Sequence, residues 1–140
     1  MNQPSQFSIE QITYQLTWQI RHEVMWPNEP LDFVKLKDDP IGIHYGLWNQ
    51  NRLWTVVSVF IDKDEAQFRK LATRTEAQNQ GYGTAMLRHV MDELTNLGIK
   101  RLWCNARTDK WHFYQRLGFQ HTGATFYRKE QQYYIIEKML

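Results

Sequence analysis

The chain has 140 residues, room for one domain, and its 42% hydrophobic and 23% charged residues exclude general disorder. A single cysteine, Cys104, excludes an internal disulfide framework and a cysteine-built zinc cluster, and a formal net charge of +2 is too small to predict nucleic-acid binding. Met1 to Gln6 lacks the basic and apolar stretches of a signal peptide, and the longest strongly apolar run, Val56 to Ile61, falls far short of the ~20 residues of a membrane helix. A soluble, cytoplasmic protein with no membrane partner is therefore expected. The charge is uneven: residues 1–62 hold 4 Lys/Arg and 7 Asp/Glu, and residues 63–140 hold 13 and 8. An anionic ligand suits the C-terminal portion better than the N-terminal one, although a solvated surface explains the same numbers.

In chain order, Ile12, Leu16, Ile20 and Val24 predict an amphipathic helix over 10–25, limited by Pro27. Pro27, Pro30 and Pro40 punctuate a loop with room for a short helix at Leu31–Leu36. Ile43–Leu47 and Leu53–Ile61, separated by Asn49-Gln50-Asn51, predict an antiparallel hairpin. A polar turn at Asp62–Glu65 leads to a third strand over Ala66–Thr73. Ala85, Leu87, Val90, Met91, Leu94 and Leu97 share one face of a helix over Gly81–Leu97, and Gly98 stands where a left-handed C-cap belongs. A strand over Ile99–Cys104 follows, then a shorter helix capped by Thr108 or Asp109 and closed by Gly118. Phe119–Tyr127 and Gln132–Met139 predict two final strands. This order gives an α/β fold, a mixed sheet with helices on its faces.

Chemistry concentrates where the third strand meets the long helix. The stretch Arg69 to Thr84 ends a strand, runs through a polar loop and places Gly81 and Gly83 at the helix start. The first N–H groups of a helix lack internal partners, its dipole makes that end positive, and glycine lets a ligand approach the backbone. Together these make a diphosphate cradle. There is no Gly-Lys-Ser/Thr triphosphatase loop, and a dinucleotide fingerprint fails at Met86.

Gln78-x-x-Gly81-x-Gly83 resembles the acetyl-CoA-binding signature of the GNAT superfamily of N-acetyltransferases. Asn105-Ala106-Arg107 followed by Phe113-Tyr114-Gln115-Arg116-Leu117-Gly118-Phe119 resembles a second segment of that family, in the usual order and spacing. The resemblance covers residues 40–140 and extends less closely over the N-terminal helix. It implies one domain over 1–140, with a mostly antiparallel central sheet and a V-shaped opening between its two parallel strands. It further implies transfer of an acetyl group from the cosubstrate acetyl-CoA to a primary amine of a small molecule or peptide, by a monomer or homodimer.

By the same resemblance Leu71, Ala72 and Thr73 line the pantetheine arm, and Asn79, Gln80, Gly81, Tyr82, Gly83 and Thr84 hold the diphosphate. Arg74 and Arg88 are within sequence reach of a phosphate. Tyr114 matches the tyrosine that protonates the departing sulfur; a phenol, with a reference pKa near 10, carries its proton at neutral pH. Relatives often place a glutamate where this chain has Gln67, which leaves Glu65 and His44 as the candidate bases, with His22 and His112 weaker. Asn105 stands two positions before the usual asparagine site, here Arg107, and either is a candidate cofactor contact. Trp26, Tyr45, Trp48 and Trp54 fall in the part where family members build the acceptor pocket. Gln67 also admits another reading, a non-catalytic acyl-CoA sensor or partner module of the same fold. An RNA-binding module has little support, since no aromatic RNA motif or dense basic cluster is present.

Overall fold

A computed structural model describes residues 6–140 of the chain, so the reading of the opening segment rests on residues outside that range, Gln6 excepted. The first element is a strand, β1 (Phe7–Ile12), and helix α1 (Gln15–Met25) starts only after it. The expected helix over 10–25 is thus corrected at its N-terminal end. Ile12 stands at helical spacing from Leu16 and Ile20, yet it reaches their side of the sheet from a strand. Ile12 and Val24 pack against Ile20, Val56 and Ala72, while Leu16 is exposed. Pairing decides the matter, because β1 runs antiparallel along β2 (Ile43–Asn49) from Phe7–Asn49 to Ile12–His44.

The other elements follow the expected order. β2 and β3 (Arg52–Asp62) form the hairpin around Gln50 and Asn51, both at positive φ. Then come β4 (Glu65–Thr73), α2 (Tyr82–Asn96), β5 (Arg101–Arg107), α3 (Trp111–Arg116), β6 (Gln120–Arg128) and β7 (Gln131–Met139). The strands form one 7-stranded sheet in the order β1-β2-β3-β4-β5-β7-β6, antiparallel throughout except between β4 and β5. Met86, Leu87, Val90 and Leu94 of α2 are fully buried in the main core with Leu47, Val57 and Leu102. α1 covers the other face through Ile20.

Several boundaries differ: the short helix expected at Leu31–Leu36 is a 3-10 turn over Leu31–Val34, β2 runs on to Asn49 and β5 to Arg107. Two differences have a clear local reason. β5 begins at Arg101 because Ile99 is consumed in ending α2. Gly98, at φ 83°, donates to Thr95 O at 3.0 Å and Ile99 N–H donates to Leu94 O at 3.0 Å, the two bonds of a Schellman motif. Thr108 and Asp109 do not cap α3; with Lys110 they form a 3-10 turn, and Asp109 binds Arg107 at 3.2 Å.

On the α1 side a buried ion pair ties the proline-rich segment to the sheet. Arg21 and Asp39, each 1% exposed, meet in a two-pronged contact at 2.9 Å. Arg21 also donates to Val34 O at 3.0 Å and to Ser58 Oγ at 2.8 Å. Burial works to raise the pKa of Asp39, but Arg21, the Leu36 N–H and the Trp18 indole N–H together hold it below its ordinary 3.8. Asp39→Asn removes the counter-charge of a buried guanidinium and is expected to cost about 3–5 kcal/mol in a denaturant titration. The depressed Asp39 pKa adds stability that is fully present above the unfolded value of 3.8. That share is lost as pH falls through the folded value, so acid unfolding of the native chain should be steeper than that of Asp39→Asn.

Candidate active site

Only three residue pairs join β4 to β5: Glu65–Arg101, Ala66–Leu102 and Gln67–Trp103. From Phe68 onward the two strands part. A β-bulge bends β4 at that point, with Lys70 and Leu71 both standing opposite Val57. Lys70 is the extra residue, held at φ 59°. The insertion resets the alternation of side chains. Phe68 and Leu71 belong to the α2-side core. Ala72 belongs to the α1-side cluster, and the Arg69 guanidinium lies 5.8 Å from the centre of the Phe60 ring. The result is a V-shaped opening with its closed end at Gln67 and Trp103.

The loop leaving β4 is drawn tight at its start. Gln78 Nε2 donates to Thr73 O at 3.0 Å, and Thr73 Oγ1 lies 2.9 Å from Thr55 Oγ1. Asn79 and Gly81 both take positive φ, at 64° and 83°. Asn79 and Gln80 are exposed. The N-terminus of α2 receives no side-chain cap and carries no acidic residue in its first turn. The first-turn N–H groups of Tyr82, Gly83 and Thr84 therefore stay available to an anion. A Cβ on Gly81 would meet nothing within 4 Å, whereas one on Gly83 would lie 3.3 Å from Phe113 Cζ. The Tyr82 side chain turns inward, 5% exposed, and its hydroxyl accepts from Asn49 Nδ2 at 2.9 Å. Leu71 is partly buried and Ala72 buried. Arg74 is engaged away from the loop, with Leu53 O and Glu23, and Arg88 is exposed on α2.

Tyr114 of α3 sits at the apex on the α2 side. Its ring centre lies 5.8 Å from Phe68, 5.0 Å from Phe113 and 5.8 Å from Phe119. Burial first, and Cys104 beside it second, raise the phenol pKa well above its usual value, so it keeps its proton. Asn105 is exposed on the β5 arm, two residues beyond the last β4–β5 pair, while Arg107 is engaged with Asp109.

The two candidate bases are placed elsewhere. Glu65 lies behind the closed end of the V, two residues before Gln67, where it pairs with Arg101 at 3.6 Å. His44 is 3% exposed in the Arg21 network, with Nε2 2.8 Å from Asp39 O and Nδ1 2.7 Å from Ser58 Oγ. The carbonyl requires an N–H at Nε2, so Nδ1 accepts from Ser58, which in turn accepts from Arg21. Burial foremost lowers the His44 pKa. A neutral imidazole with both nitrogens engaged has no lone pair to offer a substrate. His22 lies 2.6 Å from Glu29 O, and His112 is exposed on α3.

The structure also brings residues to the opening that the sequence did not single out. Lys129, at the β6–β7 tip, holds its ammonium 4.3 Å from the Phe33 ring centre and 5.3 Å from that of Trp26. Those rings meet edge to face at 5.0 Å. The hairpin thus reaches across the sheet to the segment after α1. Of the aromatics expected near an acceptor, Trp26 is the one in this contact. Tyr45 is buried against His89 at 5.6 Å, and Trp54 donates to Asn49 O at 3.1 Å. The bulge left no mark in the sequence, because a lysine is an unusual residue at positive φ. Among the described residues no helix is long and apolar enough to cross a membrane, and no group of three or more His, Cys, Asp or Glu could hold a metal ion.

Residues 4–119 match the acetyltransferase (GNAT) family. The uncharacterized N-acetyltransferase YitI of Bacillus subtilis is 24% identical over 127 residues, covering 84% of this chain and 85% of that protein. The ribosomal-protein-S18-alanine N-acetyltransferase of Escherichia coli superposes with a TM-score of 0.79 at 18% identity, over 95% of this chain and 93% of that one. A GNAT family acetyltransferase from Elizabethkingia anophelis with acetyl-CoA bound superposes with a TM-score of 0.77 at 16% identity, over 98% and 100% of the two chains.

Cys104 tests the packing behind the apex. It is buried, and burial pushes its thiol pKa far up. Ellman's reagent is therefore expected to leave the native chain unreacted and to titrate one thiol after unfolding. Rapid reaction of the native chain would mean that the Tyr114–Cys104 region is open.

Proposed function

This chain belongs to the acetyltransferase (GNAT) family, and from that premise we propose that residues 1–140 form a single domain that transfers an acetyl group from acetyl-CoA to a primary amine. The parting of β4 from β5 beside an uncapped α2 N-terminus carries the reading. It supplies a free strand edge and an anion-receptive helix end side by side, which suits the extended pantetheine arm and diphosphate of coenzyme A. The acetyl-CoA bound to the Elizabethkingia anophelis neighbour supports it.

Acetyl-CoA supplies an acetyl group activated as a thioester. Asn79, Gln80 and Gly81, with the first-turn N–H groups of Tyr82, Gly83 and Thr84, hold the diphosphate. Leu71, Ala72 and Thr73 offer backbone groups to the pantetheine amides as an added strand. Asn105 borders the opposite arm. A β4 N–H left unpaired by the bulge stabilises charge on the reacting carbonyl oxygen. Tyr114 donates its proton to the departing sulfur; its raised pKa keeps that proton in place at neutral pH until the thiolate forms. Glu65 and His44 take structural roles, and the proton of the attacking amine leaves to solvent.

The absence of a carboxylate at Gln67, with Glu65 and His44 engaged elsewhere, favours one other reading, a non-catalytic acyl-CoA sensor. Coenzyme A release with a panel of amines separates the two; binding without release would establish the sensor. Tyr114→Phe is expected to lower kcat roughly 100-fold with coenzyme A affinity unchanged in calorimetry. Unaltered turnover would remove Tyr114 from the mechanism. Gly81→Asn and Gly81→Asp share the strain of a side chain at φ 83° and differ in charge alone. Gly81→Asp is expected to bind coenzyme A at least about tenfold more weakly than Gly81→Asn, as like charges meet at the helix end. Equal affinities would mean the diphosphate lies elsewhere.

A further inference from the structure

Three cations gather on the α1 side of the opening with no carboxylate in salt-bridge contact, although Asp38 bears on Arg69 more strongly than Arg128 does. Arg69 and Lys70 lie on β4 just past its last pair with β5, and Arg128 ends β6. Arg21, Lys35, Arg74, Arg101 and Arg107 each make a salt bridge, whereas Arg69, Lys70 and Arg128 make none among the described residues. Burial foremost, then Arg69, Arg21 and Arg128, push the Lys70 ammonium down to about 8, with only Asp39 opposing. Asp39 is already committed to Arg21. Asp38 and Asp39 act on Arg69 in the favourable sense, and Arg128 and Arg21 act against it. Like charges crowded at a partly buried strand are unfavourable until an anion joins them.

That anion is not accounted for by the coenzyme A diphosphate. Its cradle is the α2 N-terminus, beyond Thr73, while Arg69 faces Phe60 on the side of the sheet away from α2. The contact of Lys129 with Trp26 and Phe33 holds the hairpin tip across the opening, and Arg128 is the preceding residue. We propose that the amine acceptor also carries an acidic group, a carboxylate or phosphate, which Arg69, Lys70 and Arg128 bind on the α1 side of the opening. The proposal rests on the acetyltransferase reading and names the class of its second substrate. The same cations disfavour an ammonium beside them, so they also promote the neutral, nucleophilic form of the amine. They would repel a polyamine.

Matched acceptors test this: an amino acid against its amide, O-phosphoethanolamine against ethanolamine, and spermidine. Coenzyme A release should favour the acidic member of a pair at least about tenfold in kcat/KM, the scale of one charge-assisted hydrogen bond. The pair that shows it distinguishes carboxylate from phosphate. Arg128→Gln alters an exposed position and is expected to fold, and in it and in Arg69→Gln the preference should collapse through KM. Calorimetric titration of the acidic acceptors into coenzyme A-loaded protein should show the same loss without turnover. A preference for the amides or spermidine, or a preference that survives both substitutions, overturns the proposal. So does a loss of coenzyme A affinity in those variants, which would give the cations to the cofactor. Coenzyme A binding with no acidic amine turned over also overturns it and leaves the cofactor reading standing, whereas no coenzyme A binding overturns that reading itself.

Discussion

The constraint on which the site depends is a pairing that stops. Parallel strands β4 and β5 share three residue pairs at their closed end, and the bulge at Lys70–Leu71 then turns β4 away. A sheet interior normally satisfies every backbone donor and acceptor. Here the sheet leaves an edge in its own middle, and the helix that crosses from β4 to β5 begins beside it. The unpaired strand and the uncapped helix are two results of one chain path.

The bulge also sorts chemistry between the two faces. By inserting one residue it sends Leu71 to the α2-side core and Ala72 to the α1 side. The α2 face of the apex is aromatic, with Tyr114 among Phe68, Phe113 and Phe119. The α1 face is cationic around Lys70. A protonated phenol on one side and a cationic surface on the other suit a transfer in which the donor leaves on one face and the acceptor arrives on the other.

The Arg21–Asp39 pair gives that second face its shape. It binds α1, the segment through Val34 and Asp39, and β3 at once. Trp26 and Phe33 flank this anchored region, and Lys129 of the hairpin rests on them. His44 belongs to the same network. Its suitability as a base, judged from residue type, disappears once Asp39 O and Ser58 Oγ occupy both ring nitrogens.

The succession of elements after β1, the long helix with its Gly98 cap, and the glycine loop were legible in the sequence, because each rests on local rules. Apolar periodicity, turn residues and backbone freedom act over a few neighbours. β1 was not legible, since Ile12 fits a helical stripe equally well until the edge of β2 claims it. Glu65 is near Gln67 in the chain but lies two residues behind the apex, in the paired stretch where Arg101 holds it, and the bulge is carried by a lysine that gives no local sign of it. The gathering of Arg69, Lys70 and Arg128 joins strands far apart in sequence. Local propensities set the elements, whereas pairing partners and burial, which are long-range, decided which side chains face the opening.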